Sequence, residues 1–320
     1  MDQVSALNAE QGQAIFTIIM PTFKIFGPHL VANAEAIKSI PRRESSFGPH
    51  PKQKLDVYRA PDETATSPIL IFLYGGGLIR GDKVSPNSPG GLVYHNLGTF
   101  FAKRGITTII PDYRKVNSPS GGHDAVYPSG GEDVSLVLKW LESSELKGKR
   151  DVYLIGNSAG GVHAATFLLE PKFLEQRKKL VSGEGGLTLK GFIALATPFH
   201  FKSGLPGRAE VNQAYYGSHT DDKCPYGLLE AVAKAGKSRK ETAVPDTLVM
   251  LGEFDPADEI GEPVEEFVAL WKKTWGDDGL TFEKVADHNH ISPPLALMTG
   301  EAKAEKWGED VAKWIKSSST

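Results

Sequence analysis

Ser158 lies in the run Asp151 to Gly161, DVYLIGNSAGG, between a short apolar stretch, Val152 to Ile155, and a helix-compatible one, Val162 to Leu169. A serine on such a sharp strand-to-helix turn has its hydroxyl exposed above the sheet, and only small neighbours fit so tight a bend. The N-terminus of the helix behind it favours negative charge that develops nearby. The pattern from Gly156 to Gly160 is G-x-S-x-G. Alone it is a weak signal in a chain rich in glycine and serine, and its setting between strand and helix is what singles it out.

Serine is a poor nucleophile until a base takes its proton, and the base needs an acid to fix its tautomer. In a doubly wound sheet these groups must lie in loops at the carboxyl ends of strands. The predicted strand Thr247 to Leu251 is followed by Gly252-Glu253-Phe254-Asp255-Pro256-Ala257-Asp258. The strand ending at Val285 is followed by Ala286-Asp287-His288-Asn289-His290. Asp255, early in its loop and ahead of a proline, is the preferred acid, with Asp258 as the alternative. His290 is taken as the base ahead of His288, and His163, on the helix after the serine, is expected to pack there. Gly75-Gly76-Gly77, after the apolar run Ile69 to Tyr74, can bring bare N–H groups up to a developing oxyanion. A phosphate cradle would need a G-K-[ST] or a G-x-G-x-x-G opening a helix, and neither stands here.

The elements that must carry these groups alternate. Apolar runs at Leu55 to Tyr58, Ile69 to Tyr74, Ile106 to Ile110, Val152 to Ile155, Gly191 to Ala196, Thr247 to Leu251 and Thr281 to Val285 read as strands. Helical spacing is read over His95 to Lys103, Asp133 to Leu141, Pro263 to Trp275 and Lys303 to Ile315. Such alternation predicts an α/β fold with a doubly wound, mostly parallel sheet covered on both faces. Residues 198–242 break the rhythm and read as an inserted cap; residues 1–45 read as helical, packed on the main domain or lying over its site as a lid. Pro41 to Ser46 resembles a linker, and 46–197 with 243–320 make the core.

The bulk properties narrow the partners. A net charge of −3 over 320 residues gives no electrostatic reason to expect nucleic acid or an anionic membrane. Lys147-Gly148-Lys149-Arg150 and Arg177-Lys178-Lys179 read as solvated surface. Cys224 is the only cysteine, which excludes an internal disulfide and marks it as a packing residue. The apolar run Ala14 to Met20 is too short to span a bilayer and lacks a charged start, so a cytoplasmic protein without stable membrane insertion is expected. No cofactor or metal is implied.

Taken together, the motifs resemble the α/β-hydrolase superfamily and, within it, the hormone-sensitive-lipase-like carboxylesterases. The resemblance rests on Tyr74-Gly75-Gly76-Gly77 with Gly81, Asp112-Tyr113-Arg114, Tyr127-Pro128 with Glu132-Asp133, Gly156 to Gly161, and Gly252 to Pro256. It implies an eight-stranded-type sheet with a helical cap formed by 1–45 and 198–242, a triad of Ser158, Asp255 and His290, and an oxyanion hole from the N–H groups of Gly76, Gly77 and Ala159. The implied substrate is a small ester with a short to medium acyl chain, and a homodimer is compatible with it. Tyr74 stands where the family usually has histidine, so the glycine loop must be supported differently. An arylformamidase-type amidase shares the fold as an alternative. A non-catalytic receptor does too, but it would be expected to lose the histidine that this chain has twice, at His288 and His290.

Overall fold

The computed structural model describes residues 1–119, 121–203 and 206–318. The strands are β1 Arg42–Ser46, β2 Lys54–Tyr58, β3 Ile69–Leu73, β4 Thr107–Pro111, β5 Arg150–Asn157, β6 Leu187–Leu195, β7 Asp246–Phe254 and β8 Leu280–Asn289. They form one eight-stranded sheet in the order β1-β2-β4-β3-β5-β6-β7-β8. β2 runs antiparallel to β1 and β4; every pairing from β4 through β8 is parallel. β3 and β4 are buried at every residue, as continuous apolar runs in the middle of a parallel sheet require. Helices His95–Ala102, Ser129–Ser143, Ala159–Leu169, Glu262–Trp275 and Ala302–Ser318 cover the faces. Because β3, β5, β7 and β8 point the same way, the loops after them share one edge.

Some local readings are corrected by partners that lie far away in sequence. The linker reading of Pro41 to Ser46 fails, since Arg42–Ser46 pairs with β2 as an edge strand. Its charged, exposed sequence carries no apolar period, which suits an edge that must not recruit another chain. β8 also runs on through His288 and Asn289, so the expected loop there is mostly strand.

The N-terminal apolar run does not stop at Pro21. Helix Ile15–Ala32 continues through Pro21 and Pro28, because Ile15, Ile18, Thr22, Phe26 and Leu30 form a buried stripe on its other side. Phe16, Met20 and Val31 remain 59%, 50% and 53% exposed. Among the described residues this is the one helix whose length and composition would let it cross a membrane.

The two basic clusters are not uniformly solvated. Arg150 is 4% exposed and paired with Glu63 at 2.7 Å. Arg177 is 1% exposed and donates to the carbonyls of Phe167 and Glu170 at 2.8 Å and of Thr242 at 3.2 Å. It thereby ties the elbow helix to the end of the inserted segment. Three carbonyls would lose their donor in Arg177→Met. That variant should lose about 3 kcal/mol of unfolding free energy in urea, and a loss within 0.5 kcal/mol, roughly that of an exposed site, would show the tie to be dispensable.

Candidate active site

The serine turn forms because the chain must leave β5 and reverse into helix Ala159–Leu169 within a single residue. Ser158 adopts φ 53° and ψ −122°, a conformation that non-glycine residues hold only under constraint from their surroundings. Its N–H is fixed by the Leu195 carbonyl of β6 at 2.9 Å. At Gly160 a Cβ would stand 2.1 Å from the Leu73 carbonyl oxygen, so the helix packs against β3 only with glycine there.

Two further strand ends deliver the partners. Ser158 Oγ lies 2.9 Å from His290 Nε2, and His290 Nδ1 lies 2.7 Å from Asp255 Oδ1. The other carboxylate oxygen, Oδ2, accepts the Gly252 N–H at 2.7 Å, which locks the Asp255 rotamer. Glu253 accepts the Asp287 N–H at 2.8 Å and joins the β7 and β8 ends. With Nδ1–H held by the carboxylate, Nε2 is free to accept the serine proton.

The alternatives are disposed of by geometry. His288 is 1% exposed, with Nδ1 2.8 Å from Ser292 Oγ and Nε2 3.1 Å from the Ala304 carbonyl. Burial pushes it down to about 4. Asp258 is exposed on the turn Ala257–Gly261 and makes no bond to His290. His163 packs edge-on against Tyr113 and Tyr215, and complete burial pushes it down to about 3. Cys224 caps helix Pro225–Lys234 through the Gly227 N–H, and burial raises its thiol to about 11, an unreactive state.

The glycine loop lies beside the serine: a Cβ on Gly75 would be 3.2 Å from Ser158 Cβ. The N–H groups of Gly76 and Gly77 have no acceptor among the described residues, and Ala159 begins its helix, where an N–H has no intrahelical partner. These three donors can therefore converge on an oxyanion.

The support that the Tyr74 departure demanded is an aromatic stack. Tyr74 lies between Tyr94 and Tyr113, with centroids at 5.9 and 4.6 Å, and donates its hydroxyl to Asp112 Oδ1 at 2.7 Å. Tyr113 in turn donates to the Tyr74 carbonyl at 2.7 Å, directly ahead of the glycines. Asp112 also accepts the Lys83 N–H at 2.7 Å and pairs with Lys52 at 3.1 Å. Tyr94 and Lys52 carried no signal in the sequence, because neither belongs to a motif.

Beside the serine is a mostly apolar cavity of about 40 Å³, walled by Leu78, Ala159, Val162, Phe201 and Ile260, with Arg208 also in its lining. Phe201 and Arg208 come from the inserted segment, which therefore roofs the site. Asn289 ties the N-terminal helix to the histidine end, donating from Nδ2 to Thr22 Oγ1 at 3.0 Å. Sequence reasoning found neither Arg208 nor Asn289, for each acts through a contact across the fold.

Sheet order, elbow, and the Ser-His-Asp alignment at one edge together give the chain the α/β-hydrolase fold. A family model described as BD-FAE, an α/β-hydrolase family, matches residues 55–195. The probable isoprenylcysteine alpha-carbonyl methylesterase ICME of Oryza sativa subsp. japonica is 30% identical over 165 residues, covering 52% of this chain and 36% of that protein. The isoprenylcysteine alpha-carbonyl methylesterase ICME of Arabidopsis thaliana is 30% identical over 141 residues, covering 44% of this chain and 30% of that one. The chain thus spans about a third of the length of these curated relatives. Among solved structures, esterase B from Lactobacillus rhamnosis is similar with a TM-score of 0.65 at 14% identity, covering 100% of this chain and 97% of that one. The Pyrobaculum calidifontis esterase is similar at 0.62 and 17% identity, covering 93% and 92%.

Two measurements test this packing. Tyr74→Phe removes a donor from a buried carboxylate and should lower unfolding free energy by about 1–2 kcal/mol, whereas an unchanged urea midpoint would leave the stack without its anchor. His163 and His288 are held neutral by burial, at about 3 and 4 against an ordinary 6.5. Their contribution is complete above pH 6.5 and falls as the unfolded chain takes up protons below that value. Unfolding free energy should thus decline as pH falls from 6.5 towards 4, and His163→Phe should reduce the slope by about 1.4 kcal/mol per pH unit. A slope unaltered by that replacement would place the acid sensitivity elsewhere.

Proposed function

We propose that the protein is a serine carboxylesterase of the hormone-sensitive-lipase-like type, acting on esters with short acyl chains. The observation that carries the reading is the continuous hydrogen-bond chain Ser158–His290–Asp255, at 2.9 and 2.7 Å, beside loop N–H groups with no acceptor among the described residues. Ser158 Oγ attacks the ester carbonyl as His290 Nε2 takes its proton, and Asp255 steadies the imidazolium. The N–H groups of Gly76, Gly77 and Ala159 receive the oxyanion. His290 then protonates the departing alcohol, and water, deprotonated by the same nitrogen, releases the acid from the acyl-enzyme. The names of the relatives and structural neighbours, all esterases or methylesterases, support ester over amide chemistry.

The cavity supports the short chain. At about 40 Å³ it is much smaller than the roughly 150 Å³ that accepts benzene, which favours short acyl chains over long ones. Hydrolysis of p-nitrophenyl acetate should exceed that of the octanoate in kcat/KM, and Ser158→Ala should lose at least about 10³-fold on both. Full activity in the alanine variant would exclude the serine mechanism. Faster formanilide than acetate turnover would favour an amidase.

A further inference from the structure

The cavity wall is mostly apolar in area, but Arg208 enters it from helix Pro206–Tyr216, and His200, Asn212 and Glu259 line it as well. Arg208 Nε and Nη2 both end on a single oxygen, Glu259 Oε1, at 2.7 and 2.6 Å. That pair fixes the plane of the guanidinium. Nη1 faces the other way, 2.2 Å from where a Cβ on Gly77 would stand, so this end of the group lies against the oxyanion loop. Among the described residues Nη1 has no hydrogen-bond acceptor. The side chains of Arg208 and Glu259 are only 22% and 11% exposed.

A leucine or methionine would complete this wall without the desolvation cost of a half-buried ion pair. Arg208 and Glu259 are the charged side chains among the described lining residues, and Arg80 adds a second cation beside Phe16, the two guanidinium groups lying 5.4 and 5.9 Å from its ring. An anion in the cavity would meet a planar donor whose Nη1 hydrogens have no acceptor among the described residues.

We propose that Arg208 is a specificity-determining residue that binds a carboxylate on the substrate, and that the preferred substrates are half-esters of short dicarboxylic acids. The inference rests on the ester-hydrolase reading and adds the charge of the acyl group to it. The ester carbonyl lies at Ser158 and the glycine loop, and the free carboxylate lies on the Nη1 edge of Arg208, close by. Glu259 acts as a positioning residue, holding the guanidinium while leaving that edge free. Hydrolysis is unchanged in its bonds: the acyl–oxygen bond breaks, the leaving alkoxide takes a proton from His290, and water gives its hydroxyl to the acyl carbon and its other proton to His290, so the acyl group leaves as the second carboxyl group.

The test compares monoethyl succinate with its neutral near-isostere, ethyl pentanoate, by pH-stat. The wild type should favour the half-ester by at least about tenfold in kcat/KM, expressed mainly in KM. Arg208→Met combined with Glu259→Gln, which leaves no unpaired charge, should cut that preference at least about tenfold, and Arg208→Lys should restore it only in part. Equal losses on the two esters, or no preference in the wild type, would overturn the proposal. Binding of monoethyl succinate to Ser158→Ala, followed by calorimetry, separates this inference from the esterase reading. If no ester is turned over, saturable binding that Arg208→Met/Glu259→Gln weakens at least about tenfold still upholds the carboxylate site. Binding that is absent, or indifferent to those changes, removes it.

Discussion

The site depends on one close approach, that of the helix after Ser158 to the carboxyl end of β3. Gly160 lets the helix meet the Leu73 carbonyl, and Ser158, at the head of that helix, holds a positive φ of 53°. A strained residue persists only where its surroundings over-determine it, here by the Leu195 carbonyl behind and the helix ahead. Loosening the approach would let Ser158 relax, and its hydroxyl would leave the plane in which His290 waits. The parallel sheet then does the rest. β5, β7 and β8 end at one edge, so groups 132 and 35 residues apart fall within hydrogen-bond distance.

Around this edge the fold buries polar groups and satisfies them locally. Tyr74, Tyr113 and Asp112 form a supporting layer beneath the glycine loop, and Lys83 and Lys52 complete the carboxylate's partners. Arg177 does the same under the inserted segment, spending its donors on carbonyls rather than on a carboxylate. His163 is an exception, a neutral ring among tyrosines whose nitrogens find no partner among the described residues, as are the hydroxyls of Thr197 and Tyr216.

The inserted segment decides what reaches the serine. Phe201 closes the cavity, and Arg208 places a charge at its wall while Glu259, from the turn after Asp255, holds that charge in place. The acid end of the triad and the recognition group are thus linked through one short stretch, Asp255 to Glu259. Selectivity and chemistry share a scaffold at that point.

The sequence by itself determined the elements and their order. Apolar runs, the elbow glycines and the succession of serine, aspartate and histidine loops are local patterns, and the strands they predict all lie within the sheet. It preferred Asp255 and His290 to their neighbours but could not decide the choice. Asp255 and Asp258, or His288 and His290, differ little in local context, and only the turn of the chain sends His288 into a buried pairing with Ser292 while His290 meets Ser158. The same holds for β1, whose polar residues become a strand only because β2 offers an edge, for Arg177, which reads as solvated surface, and for Arg208, which no motif marks. Periodicity records which face of an element is buried, whereas a hydrogen-bond partner far along the chain leaves no trace in spacing. Tertiary packing alone made those assignments.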